Sequence, residues 1–241
     1  MRRRTFVWSL IALWGAGVLA ALAGCARKGG PTSSPAAPAN DAAPIALPAP
    51  AFEGQMSVEA ALRARRSVRN FANKPLTLAQ AGQLLWAAQG VTHANGYRAA
   101  PSAGATYPLE TYLVAGAVEG LAAGLYRYLP AEHALRAVAS GDLRAALTAA
   151  ALGQSFIADA PISLCFAAIY ERTSQRYGYR ANPYVHMEIG HAGENVYLQA
   201  QALGLATVAV GAFTDDQVAR VLRLPKDEKP LYLMPVGWRS H

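Results

Sequence analysis

Ala64 to Phe71 reads ARRSVRNF, with three arginines inside five residues and a serine among them. A guanidinium offers paired hydrogen bonds to an oxyanion, so the stretch is either a solvated charge run or one wall of an anion site. The formal charge of +7 does not make that anion a nucleic acid. Arg2, Arg3, Arg4, Arg27 and Lys28 supply five of the positive charges, no acidic residue lies before or among them, and the rest of the chain is left with +2. A body so nearly balanced has no broad electrostatic footprint for DNA or RNA.

The early charges belong to a different function. MRRRTFVWSLIALWGAGVLAALAGC, Met1 to Cys25, has a basic start, an apolar run and small residues before a cysteine. That is the layout of an export signal over 1–24. Leu22-Ala23-Gly24-Cys25 resembles the bacterial lipobox and makes Cys25 the expected lipidation site. An uncleaved membrane helix is the alternative, because the uncharged run is nearly long enough to span. Arg3-Arg4-Thr5-Phe6-Val7 is similar to the twin-arginine motif of a translocase that carries folded proteins. Either reading tethers the body in the bacterial envelope, outside the cytoplasm. The segment 25–51 reads as a linker, since thirteen of the twenty positions from Pro31 to Pro50 are Pro or Ala. Such a composition favours extended polyproline II over a core.

The body, 52–241, has the apolar content of a packed domain, the whole chain being 53% hydrophobic. Ser57 is placed to cap a helix through Ala64, and Thr77-Leu-Ala-Gln80 spells a capping box for a helix ending at Gly90. LETYLVAG, GLYRYLP and ALRAVA alternate as strands around turns, with a helix expected near Asp142 to Ala151. APISLCFAAIY, ATVAVGAF and PLYLMPVGW read as further strands. YVHMEIGHAGENVYLQAQALGL predicts a central helix buried on most sides, and Thr214-Asp-Asp-Gln217 a second capping box. This mixed order indicates an α+β domain. Cys165, the one cysteine besides Cys25, lies inside an apolar run and reads as a packed strand residue.

Several chemistries find no footing. The chain has no G-x-G-x-x-G after a strand, no G-x-x-x-x-G-K-[ST] and no G-x-S-x-G elbow. Glu188-Ile-Gly-His191 has the Glu-x-x-His spacing of a di-iron helix, but the second pair that such a site needs is missing, so no metal is expected.

Four segments far apart in sequence do form a pattern: RRSVRNF, APSAGATYPLETYLV (Ala100–Val114), HMEIGHAGENVYLQAQALGL and GLATVAVGAF followed by PLYLMPVGW. In this order they resemble the FMN-dependent nitroreductase superfamily, and within it the thiazoline/oxazoline dehydrogenases of the SagB/ThcOx type. The resemblance spans about Ser57 to Trp238. It implies a nitroreductase-like fold with a central, mostly antiparallel sheet flanked by helices. It also implies an interleaved homodimer with FMN at the subunit interface.

What the resemblance implies for single residues has a physical basis. The Arg-x-Ser-x-Arg segment, Arg65, Ser67 and Arg69 with Arg66 alongside, would hold the FMN phosphate and ribityl chain. The turn Pro101, Ser102, Ala103, Gly104 and Ala105 would let backbone approach the flavin ring. Gly211 and Ala212 match the place where backbone N–H groups face the ring's reactive edge. Arg239 would add a phosphate contact. The azoline dehydrogenases carry a Lys-Tyr pair that deprotonates substrate; here the matching site is Arg176-Tyr177, and arginine is a poor general base. The expected function is an FMN oxidoreductase acting on an envelope substrate. A flavin- or ligand-binding lipoprotein without turnover is the alternative.

Overall fold

The computed structural model describes residues 43–240. The signal region, Cys25 and most of the linker lie outside these described residues. In chain order the elements are β1 (Ile45–Ala46), α1 (Val58–Ala64), β2 (Leu76–Thr77), α2 (Leu78–Gln89), β3 (Leu109–Ala115), β4 (Val118–Glu119), β5 (Gly124–Leu129) and β6 (Ala134–Ser140). They continue with α3 (Arg144–Ala150), α4 (Phe156–Asp159), β7 (Ile162–Ala168), α5 (Glu171–Tyr177), α6 (Ala181–Ala202), β8 (Leu205–Thr207), α7 (Asp215–Val221) and β9 (Lys229–Trp238).

Seven strands make one sheet in the order β1-β6-β5-β3-β7-β9-β8, and every neighbouring pair is antiparallel. Its two central strands explain their continuous apolar runs, because side chains alternate between faces and both faces are covered. From β3 and β7, Leu109, Leu113, Ile162, Leu164 and Phe166 join the core under α2 and α6. Their neighbours Tyr112, Val114, Cys165 and Ala167 join a second core under α3, α4 and α7. Cys165 is fully buried, and burial pushes its thiol well above the ordinary range, so it packs and does not react.

The α+β reading and most expected elements hold. Ser57 Oγ accepts from the Ala60 N–H at 3.2 Å, and Thr77 and Gln80 form the reciprocal capping box. Four expectations need correction. Thr214 makes no side-chain cap; its N–H is committed to the Ala150 carbonyl at 3.0 Å, and its own carbonyl accepts from the Gln217 N–H. ATVAVGAF is not one strand: regular pairing stops at Thr207, the Ala209 N–H turns to Tyr197 Oη at 2.8 Å, and only Val210 rejoins the ladder, opposite Leu233. Helix α6 starts at Ala181, with Pro183 in its first turn, where a missing N–H costs nothing. It buries a stripe and not most of its surface: Val185, Glu188, Ile189, Ala192 and Val196 face inward, while Met187 is 54% exposed.

The ordered domain also begins before Phe52. Ile45 and Ala46 pair with Leu135 and Ala134, Leu47 is buried, and the Ala51 backbone exchanges two hydrogen bonds with the Gln83 side chain. Pro48 is held through its carbonyl by His133 Nε2 at 3.0 Å. A Pro/Ala-rich segment lacks its own core, yet one edge pairing and two side-chain clamps are enough to order it.

Candidate functional site

The arginine segment starts where α1 stops. Arg65 leaves helical geometry at φ −51°, ψ 126°, and the chain runs extended beside the end of β8, with Ser67 opposite Thr207 and the Val68 N–H on the Thr207 carbonyl at 3.0 Å. Tyr197 of α6 ties the segment down. Its hydroxyl lies 2.9 Å from Ser67 Oγ and accepts from the Ala209 N–H, while its ring carries the Arg65 guanidinium at 5.2 Å. Arg65 Nε is also 3.8 Å from Glu194 Oε1. That half-exposed pair is worth little by itself. Arg69 stands 5.8 Å over the Phe156 ring.

Arg66 differs from its neighbours. Its guanidinium folds back onto its own helix end, donating to the carbonyls of Arg63 at 3.0 Å and Arg65 at 2.6 Å. The C-terminal end of the sheet reaches the same place: Phe71 bridges Arg239, and the Ser240 N–H donates to the Asn70 carbonyl. Arg239 is therefore brought alongside the arginine segment from the far end of the chain.

Gly211 and Ala212 follow the last ladder contact at Val210. Among the described residues their N–H groups meet no backbone acceptor, while the Ala212 carbonyl takes a bond from Gln154 Nε2 at 2.8 Å. A Cβ on Gly211 would approach the Tyr232 ring to 3.7 Å, and the same ring lies 3.5 Å from where a Cβ on Gly193 of α6 would stand. Gly193 and Gly211 thus both pack against the Tyr232 ring, beside these backbone donors.

The second expected cluster is the turn Pro101–Ala105. Ser102 Oγ accepts from the Tyr107 N–H at 2.9 Å. Gly104 takes φ +59°, a left-handed conformation that favours glycine. The glycine serves a neighbour within the chain. A Cβ there would stand 2.5 Å from the Tyr177 hydroxyl, and Arg176 Nη1 donates to the Gly104 carbonyl at 3.2 Å. The structure therefore brings Arg176 and Tyr177, both on α5, directly onto the turn. Tyr177 is further held edge-on by Tyr184, with ring centroids 5.2 Å apart.

The two clusters dock on the same helix at different heights. The turn lies by Glu188 and the arginine segment by Tyr197. At the rise of an α-helix the two positions are roughly 13 Å apart along α6. A cavity of about 280 Å³ opens between the turn and α6, lined by Ser102, Tyr184, Met187, Glu188 and His191 among others. Burial pushes the Glu188 carboxyl up to about 7, against the opposing pull of Ser102 and the Arg98 charge. Burial also lowers Arg98, with Glu110 and Glu188 working against that.

Sequence reasoning placed the arginines and the turn but missed Tyr197 and Tyr232, and it took Glu188 only as half of a metal pair. Tyr197 and Glu188 are both polar groups on the buried stripe of α6, and that periodic position was the available signal.

An antiparallel sheet with one long helix across it, and an arginine-serine segment docked on that helix, define a nitroreductase-like protein. The chain belongs to the nitroreductase family, whose pattern matches residues 62–238. A protein of Methanocaldococcus jannaschii that carries the nitroreductase name is 48% identical over 183 residues, 76% of this chain and 91% of its own length. The crystal structure of a Ralstonia eutropha JMP134 nitroreductase superposes with a TM-score of 0.72 at 32% identity, covering 82% of this chain and 90% of that one. The microcin B17-processing protein McbC of Escherichia coli is 32% identical over 129 residues, 52% of this chain and 47% of McbC, so the match spans about half of that relative. Membership of this family makes the chain oxidoreductase-like.

Proposed function

We propose that this domain binds FMN and works as an FMN-dependent oxidoreductase of the thiazoline/oxazoline dehydrogenase type, on an envelope substrate. The observation that supports the reading most is the set of donors beside the C-terminal half of α6. Tyr197 holds Arg65 and Ser67 there and takes the Ala209 N–H, two residues before Gly211, while Arg69 on the same segment stands over Phe156 and Arg239 bridges Phe71 at its end. Such a set fits FMN, which presents a dianionic phosphate at one end and an electron-accepting ring at the other. When bound, FMN supplies the hydride chemistry. The protein's own part is to neutralise the phosphate with Arg65 and Arg69, offer Ser67 Oγ, and hold backbone donors against the ring edge.

The similarity to McbC, a microcin-processing protein, supports the dehydrogenase reading, while the longer match carries the nitroreductase name. A homodimer is part of the proposal. Its support is the bare side of α6 together with exposed Leu62 (53%), Val58 (64%) and Met187 (54%). Large apolar side chains left open on α1 and α6 support this reading. Lipid attachment at Cys25 and twin-arginine export would place a folded, flavin-loaded domain in the envelope, away from soluble nicotinamide.

A second reading has one observation behind it. Arg176, which the resemblance sets against the family's base, is bonded to the Gly104 carbonyl, and a guanidinium cannot take a proton from substrate. A flavin-binding lipoprotein without turnover follows if Tyr177 cannot act alone. The domain expressed from Asp41 onward separates these readings. A yellow protein that releases FMN and is reduced and reoxidised by an azoline substrate and an acceptor is expected. A colourless protein that cannot be reconstituted with FMN overturns both, and a yellow one without turnover leaves the binding reading.

A further inference from the structure

Beyond the glycine turn lies a second cationic site, which shares no residue with the flavin reading. A cavity of about 550 Å³ is lined by Arg98 from the loop after α2, Arg127 of β5, Arg136 of β6 and Arg172 of α5, together with Tyr107 and Glu110. Glu110 holds two of these cations: Arg127 Nη2 lies 2.8 Å from one carboxylate oxygen, and Arg172 Nη2 pairs with the other. Arg127 also stands 3.6 Å from the buried Glu228, which accepts from the Tyr112 hydroxyl at 2.8 Å. Four guanidiniums thus meet two carboxylates. Arg98 and Arg136 have no carboxylate partner among the described residues.

Three features show that this surplus charge is built in. Arg127 and Arg136 are directly opposite each other on β5 and β6, a like-charge pairing that destabilises a sheet and that an anion between them would relieve. Arg98 is half-buried and fixed, its guanidinium 4.4 Å over the Tyr107 ring and its Nη1 donating to Gln89 Oε1 at 2.9 Å. Burial lowers its affinity for its own proton, the mark of a desolvated cation. Tyr107 takes φ +45°, a left-handed conformation that costs a bulky residue free energy. In that conformation its hydroxyl accepts from the Arg98 N–H at 3.2 Å and its carbonyl from Arg172 Nη1 at 2.9 Å. The strained residue therefore holds two of the arginines in place.

We propose that this cavity binds a small phosphate monoester, with its dianionic phosphate on Arg98 and Arg136 and its organic part against Leu129 and Pro130. Two unmatched cations call for two negative charges on one ligand. The four arginines come from four separate elements, so their donors arrive from several directions, which suits a tetrahedral group better than a planar carboxylate. Neither the segment Arg65–Arg69 nor the turn Pro101–Ala105 lines the cavity, so the site stands or falls separately from FMN binding.

Calorimetric titration of the whole chain, given one equivalent of FMN, with phenyl phosphate tests this, with succinate as the planar dianion for comparison. Wild type is expected to bind one phenyl phosphate per chain, and succinate at least about tenfold more weakly. Arg98→Gln and Arg136→Ala should each weaken phenyl phosphate at least about tenfold, whereas Arg65→Ala should change it less than about twofold. Arg136 is exposed, so its variant should fold, and in phosphate-free buffer its thermal midpoint should equal or exceed that of wild type because the like charge opposite Arg127 is gone. Phenyl phosphate should raise the midpoint of wild type and of Arg65→Ala, and not that of Arg136→Ala. No binding to wild type, unchanged binding in both Arg98→Gln and Arg136→Ala, a loss confined to Arg65→Ala, or succinate bound as tightly as phenyl phosphate overturns the proposal. A chain that takes up no FMN leaves these comparisons intact and counts only against the flavin reading.

Discussion

At the residue scale, three neighbouring arginines have different fates, and only geometry separates them. Arg65 and Arg69 rest on aromatic rings with their forks open, whereas Arg66 spends its donors on the carbonyls of Arg63 and Arg65. Arg65→Ala and Ser67→Ala should each cut FMN occupancy at least about tenfold, as loss of a charge-assisted bond of about 1.5–3 kcal/mol implies. Arg66→Ala should leave occupancy within about twofold, and absorbance of the released flavin reads all three. Glu188 provides a pH test on stability. Its folded carboxyl sits at about 7 against an ordinary 4.5, so the folded state holds the proton more tightly. That stability is fully present below the ordinary value and is lost as pH rises through about 7. The loss can reach roughly 3 kcal/mol. Urea midpoints of wild type should fall across this window, and those of Glu188→Gln should stay flat; parallel curves would show that the acid is not buried as described.

At the element scale, what was legible depended on whether the signal was local. The Thr77 box is a contract among four consecutive residues, and it formed as the sequence spelled it. Thr214-Asp-Asp-Gln217 spells the same contract, but Ala150 of α3 holds the Thr214 N–H and the side chain goes unused. Thr77→Ala should therefore cost about 1 kcal/mol and Thr214→Ala far less, measured as the difference in unfolding free energy. The strand after β8 failed for a related reason. Its apolar run was correct, but Tyr197 takes the Ala209 N–H out of the ladder, and no pattern within ATVAVGAF encodes a hydroxyl presented by a helix. Helix α6 was legible in length and wrong in burial, because its mean apolar content does not say that one side has no cover within a single chain.

At the scale of the whole molecule, that uncovered side is the prediction. A homodimer closed over α6 would bury Met187, Val58 and Leu62, each more than half exposed in the single chain. Sedimentation of the domain should give twice the chain mass. Met187→Asp should shift it toward monomer and lower flavin occupancy with it, since a charge buried in an apolar interface goes unpaired. A monomeric wild type that keeps its flavin would remove the dimer from the reading. The chain's local spellings by themselves determined an α+β domain, its central strands, two helix caps, and the arginine segment and glycine turn as its chemical candidates. The tertiary structure alone decided that Ile45 and Ala46 of the Pro/Ala-rich stretch join the sheet, that Arg66 is not an open donor, that Gly104 makes room for Tyr177, and that Glu188 is a buried acid lining a cavity. Caps and alternation are written within a few residues, whereas each of these outcomes depends on atoms brought together from distant parts of the chain, where packing decides which polar groups find partners.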